Sequence, residues 1–139
     1  MIKWPITYTD FDGNERTEEF RFALSKTELM EMNLSETGGM ANVLQRVVDS
    51  QDAKRMMEFL KIFILKSYGE LSTDGKLFVK RKDGHLLADD FEQSAAYDEM
   101  FMQLASDEKA AEKFITGVIP ASLAKEIEAR ESVKALPNG

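Results

Sequence analysis

Four oxygen-bearing side chains crowd one short stretch, Asp10, Asp12, Asn14 and Glu15, and closely spaced carboxylates are what a hard cation such as calcium takes as ligands. The spacing does not complete the site. An EF-hand loop has its glycine at the sixth position and a bidentate acid at the twelfth, whereas Gly13 is the fourth residue counted from Asp10, and Arg16-Thr17 follow. A tight turn is the better reading, and no metal site is expected. His85 is the single histidine, and Asp83-Gly84-His85 has no serine or cysteine arranged beside it as a nucleophile. The pairs Asp89-Asp90 and Asp98-Glu99 would do acid and base work only if burial gave the two members different environments. Sequence neighbours in polar or helical segments form a solvated face instead. Gly38-Gly39 has neither the lysine of a P-loop nor a preceding strand, so it does not read as a phosphate cradle. There is no cysteine, which removes thiolate nucleophiles, thiolate metal sites and disulfides, and suits a reducing compartment. These residues point to a protein that is not an enzyme, with no catalytic, cofactor-binding or metal site.

Methionine is the compositional excess left to explain: besides Met1 there are Met30, Met32, Met40, Met56, Met57, Met100 and Met102. Flexible thioethers fill irregular core gaps and also adapt to partner surfaces. Core filling suits Met56, Met57 and Met100. Met102, next to Phe101 and off the main apolar stripe, suits an exposed contact.

The elements that would position these residues follow from periodicity. Ile6 to Tyr8 and Phe20 to Leu24 favour strands, and Phe11-Asp12-Gly13-Asn14 between them predicts a hairpin. Phe20, Phe22 and Leu24 then share one face, opposite Glu19, Arg21 and Ala23. Ser25 and Glu28 have capping-box spacing and start a short helix, which Glu36-Thr37-Gly38-Gly39 ends. Val43, Leu44, Val47 and Val48 predict an amphipathic helix ending near Ser50. Asp52 can cap the most apolar helix, with Met56, Phe59, Leu60, Phe63, Ile64 and Tyr68; apolar almost all round, it reads as the central helix. Gly69 is expected to close it in a left-handed conformation. Asp74-Gly75 marks a turn before a strand at Leu77 to Val79, and Lys80 to Asp90 reads as a polar loop. Phe91, Ala95, Met100, Phe101 and Leu104 predict a further helix. Ser106 is placed to cap the next, with Ala110, Phe114, Ile115 and Val118, ended by Gly117 and Pro120. From Ala121 onward Leu123, Ile127 and Leu136 form only a thin apolar stripe. This last helix could pack on its own domain or on a neighbouring copy.

The expected fold class is α+β, mainly α: an N-terminal β-hairpin followed by a compact bundle of about five to six helices. Residues 1–120 read as a single α+β domain, and 121–139 as a C-terminal helix and frayed tail. At 139 residues one core suffices. With 43% hydrophobic and 31% charged residues the chain is an ordinary globular one. No window approaches the roughly 20 apolar residues of a membrane span, nor does the N-terminus carry a secretory signal. Eighteen Lys and Arg stand against 25 Asp and Glu, a net charge of −7, so nucleic acid and anionic membranes are poor partners. The charge is uneven: residues 54–82 carry eight bases and three acids, residues 89–112 eight acids and one base. Two such faces could meet within the monomer, between copies, or on a partner.

The blocks YTDFDGNERTEEFRFALSKTELMEM, ILKSYGELSTDGKLFVK and FEQSAAYDEMFMQLASDEKAAEKFITGVIP, in that order, resemble the short tail assembly chaperones of long-tailed (siphovirus-type) bacteriophages and prophages, over about Tyr8 to Pro120. The resemblance implies a non-catalytic protein that coats the tape measure protein while the tail tube polymerises. It also implies residence in the host cell cytoplasm and absence from the mature virion. A longer, frameshifted form is implied too, with a domain that recruits the tail tube protein. Because a bare apolar helix aggregates, many weak contacts repeated by copies of an acidic protein would hold it, so a homo-oligomer is expected. Phe101, Met102, Leu123 and Ile127 are the expected partner-binding residues, with Phe59 and Phe63 assigned to the core. A structural tail completion or joining protein of the virion is the competing reading.

Overall fold

The computed structural model describes residues 1–32 and 53–122, together with residue 125. The expected helix around Val43 to Val48, the Asp52 cap, and the C-terminal stripe of Leu123 and Ile127 lie outside the described residues.

The hairpin forms with longer arms than its β-formers alone indicate: β1 spans Ile2–Thr9 and β2 spans Glu15–Phe22, paired antiparallel from Ile2↔Phe22 to Thr9↔Glu15. Period two sorts β1 cleanly, with Trp4 and Ile6 buried while Lys3, Pro5, Thr7 and Thr9 face solvent. On β2 the same inner face carries Phe22 and Phe20, then changes to Glu18 and Arg16. The hairpin therefore leaves the core part-way along its own length.

After β2 the chain runs extended through Ala23 and Leu24 into α1, Lys26–Glu31. The capping box is as expected: Ser25 Oγ accepts from Glu28 N at 3.1 Å and Glu28 Oε1 accepts from Ser25 N at 3.0 Å. Then α2, Ala53–Ser67, passes straight into β3, Tyr68–Leu71. Gly69 is accordingly no helix cap. It is a strand residue opposite Arg21 of β2, and glycine is needed there because a methyl group would lie 2.6 Å from the Phe78 ring and 2.7 Å from the Val79 carbonyl oxygen. The Asp74-Gly75 turn is present, with Gly75 at φ 75°, and leads to β4, Phe78–Val79. The four strands form one sheet in the order β1-β2-β3-β4.

Lys80 to Asp90, expected to be a loop, is structured. β5, Arg81–Lys82, pairs with β6, His85–Leu86, across Asp83-Gly84, both at positive φ, and α3 follows at Leu87–Glu92. The single helix expected from Phe91 to Leu104 is two, because Ser94 Oγ accepts from Tyr97 N and starts α4, Ala95–Ser106. Asp107, not Ser106, caps α5, Glu108–Val118: its carboxylate accepts from Lys109 N and Ala110 N, while Ser106 Oγ bonds back to the Met102 carbonyl. Among the described residues there are thus five helices and a predominantly α protein with an N-terminal strand pair.

The core lies between the sheet and α2 to α5. Phe22 packs edge-on to Phe114 at 5.1 Å, Trp4 to Phe114 at 5.6 Å, and Tyr68 stacks on Phe91 at 4.2 Å. Burial, assisted by nearby carboxylates, pushes the Tyr68 hydroxyl up to about 12. One junction closes several helix ends at once. Ala23 N donates to the last carbonyl of α2, Ser67 O, at 2.8 Å, and Leu24 N to the last carbonyl of α5, Val118 O, at 2.8 Å, so orphan carbonyls of two helices are satisfied by one extended segment. Lys80 Nζ completes it, donating to Lys66 O at 2.7 Å, Ala23 O at 2.8 Å and Glu28 Oε2 at 2.5 Å. Three acceptors around one nitrogen call for the ammonium form, which also suits a helix C-terminus. Burial works against both charges of the pair and draws Lys80 down. For Glu28 the Lys80 and Ser25 hydrogen bonds outweigh that burial and hold its carboxyl below the usual range; with both partners hydrogen-bonded, the ion pair is the form the junction keeps.

Candidate interaction surfaces

Among the described residues folding leaves apolar side chains uncovered at several places, Met30, Leu71, Leu77 and Leu86 among them, and on α4, α2 and the hairpin tip. α4 buries Ala96, Met100 and Leu104, spaced four residues apart, and turns Asp98, Glu99, Met102 and Gln103 to solvent. Met102 is 60% exposed, an apolar side chain in an acidic surround. Its neighbour Phe101 is half-buried, packs against the core and lies 6.0 Å from the Tyr97 ring. The two residues expected to act together are thus presented differently, and Leu123 and Ile127 lie outside the described residues.

α2 is less enclosed than its composition indicates. Leu60, Phe63 and Ile64 are buried and Phe59 is half-buried, yet Met57 and Ile62 are 41% and 51% exposed. Met57 is therefore a surface methionine, unlike Met100. Lys54, Lys61 and Lys66 share this exposed side with Glu58, and Lys61 reaches Glu92 of α3 at 3.1 Å.

The hairpin tip is the third surface, and periodicity gave no sign of it. Phe11 is 84% exposed on a turn that is firmly built. Asp10 Oδ1 accepts from Asp12 N at 3.0 Å and Asn14 N at 2.9 Å, and Asp10 Oδ2 from Arg16 Nε at 2.6 Å. The Arg16 bond, then the backbone donors, hold the Asp10 carboxyl below the usual range. Tyr8 Oη donates to Glu18 Oε1 at 2.6 Å and Thr7 and Thr17 hydroxyls meet at 3.0 Å, locking the distal strands. The cluster of acids that suggested calcium thus organises a turn around Gly13, at φ 88°. An aromatic among polar turn residues was the one available signal for this surface.

The other chemical candidates are placed in solvent. His85 Nε2 lies 3.0 Å from Asp90 Oδ2, a hydrogen bond that raises the imidazole pKa, and Asp89, Asp98 and Glu99 are exposed. Among the described residues no group of His, Asp or Glu is arranged to hold a metal, and no helix is long and apolar enough to cross a membrane.

An α+β protein with apolar side chains set in charged surfaces has the equipment of a protein-binding module. The chain belongs to the phage tail assembly chaperones: the model of that family matches residues 1–138, which includes the stretch beyond Pro120 where the resemblance of the sequence blocks stops. No curated protein and no solved structure matches the chain significantly. Its role is in tail assembly with protein partners, and a chaperone family suggests no catalysis.

Proposed function

We propose that this chaperone binds the tape measure protein, keeps it soluble in the host cytoplasm while the tail tube assembles around it, and is then displaced, so that the mature virion lacks it. The observation that carries this reading is Met102, an exposed thioether on the acidic outer side of α4 in a chain of the tail assembly chaperone family. A long helical client exposes apolar stripes that aggregate when bare. A thioether adapts to many such surfaces without a dedicated pocket, and its single contact is weak enough to be displaced. Occupancy then comes from several copies along one client rather than from one tight site. Phe101 stiffens the base of this contact, and Leu123 and Ile127 would extend it; the tail tube protein would be the second partner, through a frameshifted longer form.

Co-expression is the test. With this chain the tape measure protein should stay soluble and co-purify, and Met102→Glu should lower the yield of complex several-fold while leaving the melting temperature unchanged. A client equally soluble alone would refute the reading. Finding the chain in purified virions at fixed stoichiometry would favour a tail completion or joining subunit instead.

A further inference from the structure

We propose that the outer face of α4 takes an amphipathic helix whose apolar stripe is bordered by Lys or Arg, and that Asp98 and Glu99 select those borders. The inference rests on the reading that Met102 meets the client, and it names the class of client segment that this face accepts.

Three observations carry it. First, the face is apolar at its centre and uncovered. Met102 is 60% exposed, and Tyr97, Phe101 and Ala105, half-buried against the core, border it on one side. With about 3.6 residues per turn, Asp98 and Glu99 stand one turn before Met102, on either side of its line. Helical side chains lean toward the N-terminus, which sets the thioether over that turn, between the two carboxylates. Ala105 and Ser106, one turn further on, are small and leave its other side open.

Second, these two charges are unspent. Asp98 and Glu99 are exposed and, among the described residues, belong to no ion pair, whereas Glu92 meets Lys61 and Asp90 meets His85. Residues 89–112 carry eight acids against one base, Lys109. A cation brought here by a partner therefore breaks no existing pair, and complementary potentials orient its approach. Third, the chain's own segments outside the described residues have the wrong charge for this face: residues 33–52 carry three acids and one base, and residues 126–139 three acids and two bases.

An apolar stripe alone does not separate one amphipathic helix from another. A carboxylate on each side of Met102 favours basic borders and repels acidic ones, so selection comes from both signs. Asp98 also lies in the first turn of α4, where a carboxylate favours the helix N-terminus. Glu99 has no such role, so selection is read most cleanly there.

The test is binding of the full chain to three synthetic helical peptides that share one leucine stripe and are bordered by Lys, Gln or Glu, followed by fluorescence anisotropy. Wild type should bind the Lys-bordered peptide at least about tenfold more tightly than the Glu-bordered one, and rising salt should narrow the gap. Asp98→Asn combined with Glu99→Gln should remove most of this preference and leave the Gln-bordered peptide bound as before. Glu99→Gln alone should remove part of it at an unchanged melting temperature, and Met102→Glu should weaken the Gln-bordered peptide. No preference in wild type, a preference that survives neutralisation of both acids, or an equal loss for the Gln-bordered peptide would overturn the proposal. So would a change in the sedimentation of the peptide-free chain on neutralising the two acids, which would give this face to a second copy. A tape measure protein that co-purifies while the Lys preference is absent overturns this inference alone. A client that never co-purifies while the preference holds overturns the functional reading and leaves the face a site for basic-bordered helices.

Discussion

The two ends of the β1–β2 hairpin are made of the same paired strands and serve opposite purposes. At one end Trp4, Phe20 and Phe22 enter a cluster of rings with Phe91 and Phe114, and every side chain there gains from leaving water. At the other, Phe11 is 84% exposed, and hydrogen bonding to Asp10 orders the backbone of the turn that carries it. The difference teaches that rigidity and burial are separable. A turn can be held still by local polar bonds while the side chain it carries stays exposed to solvent.

Substitutions can break this contrast, and the largest effect belongs to the buried end. Phe22→Ala should cost about 3–5 kcal/mol in urea unfolding, because the ring is fully buried and its neighbours belong to different elements that cannot collapse together. A cost under about 1 kcal/mol would mean that this end is no more a core than the tip.

Next comes the Lys80 junction. Lys80→Met keeps the stem but leaves Glu28 and two backbone carbonyls without their donor, and should cost about 1–3 kcal/mol. The same pair predicts a pH dependence. The Glu28 carboxyl is lowered in the folded state, so the unfolded chain binds that proton more readily. Stability is therefore present above the ordinary glutamate value of 4.5 and declines as pH falls through the lower folded value. Lys80→Met should flatten that decline, and an unchanged slope would show that other carboxylates govern it.

Ser25→Ala removes one half of the capping box and should cost about 1 kcal/mol, read as an equal shift in the unfolding free energy with no change in denaturant slope. The smallest effect belongs to the tip, where Phe11→Ala should change stability by no more than about 0.5 kcal/mol. A larger loss would mean that the ring supports its own fold, and the separation of the two ends would be gone.

Much of the architecture is legible in the sequence because local rules decide it. The hairpin, the Ser25–Glu28 capping box and the Asp74-Gly75 turn each depend on residues near in sequence. The same rule was available at Asp83-Gly84, but the flanking Arg81, Lys82 and His85 do not look like strands, and their pairing was missed. Ser106 and Asp107 illustrate the opposite limit: both are good caps, and only the helix register shows which carboxylate or hydroxyl faces the free N–H groups. For the interaction surfaces, Met102 was found by its place off the apolar stripe, whereas Phe11 and Ile62 were not, since an apolar residue type does not reveal its exposure.

By itself, the order of residues determined the hairpin, the capping box, the Asp74-Gly75 turn and the acidic, thiol-free character of this protein, because propensity, capping and charge act over a few positions along the chain. Only the tertiary structure decided that Gly69 is a strand residue pressed against Phe78 and Val79, that Lys80 joins three distant segments, and which apolar side chains stay uncovered. Those outcomes depend on contacts between residues far apart in sequence, and a contact exists only once both of its partners have been brought to the same place.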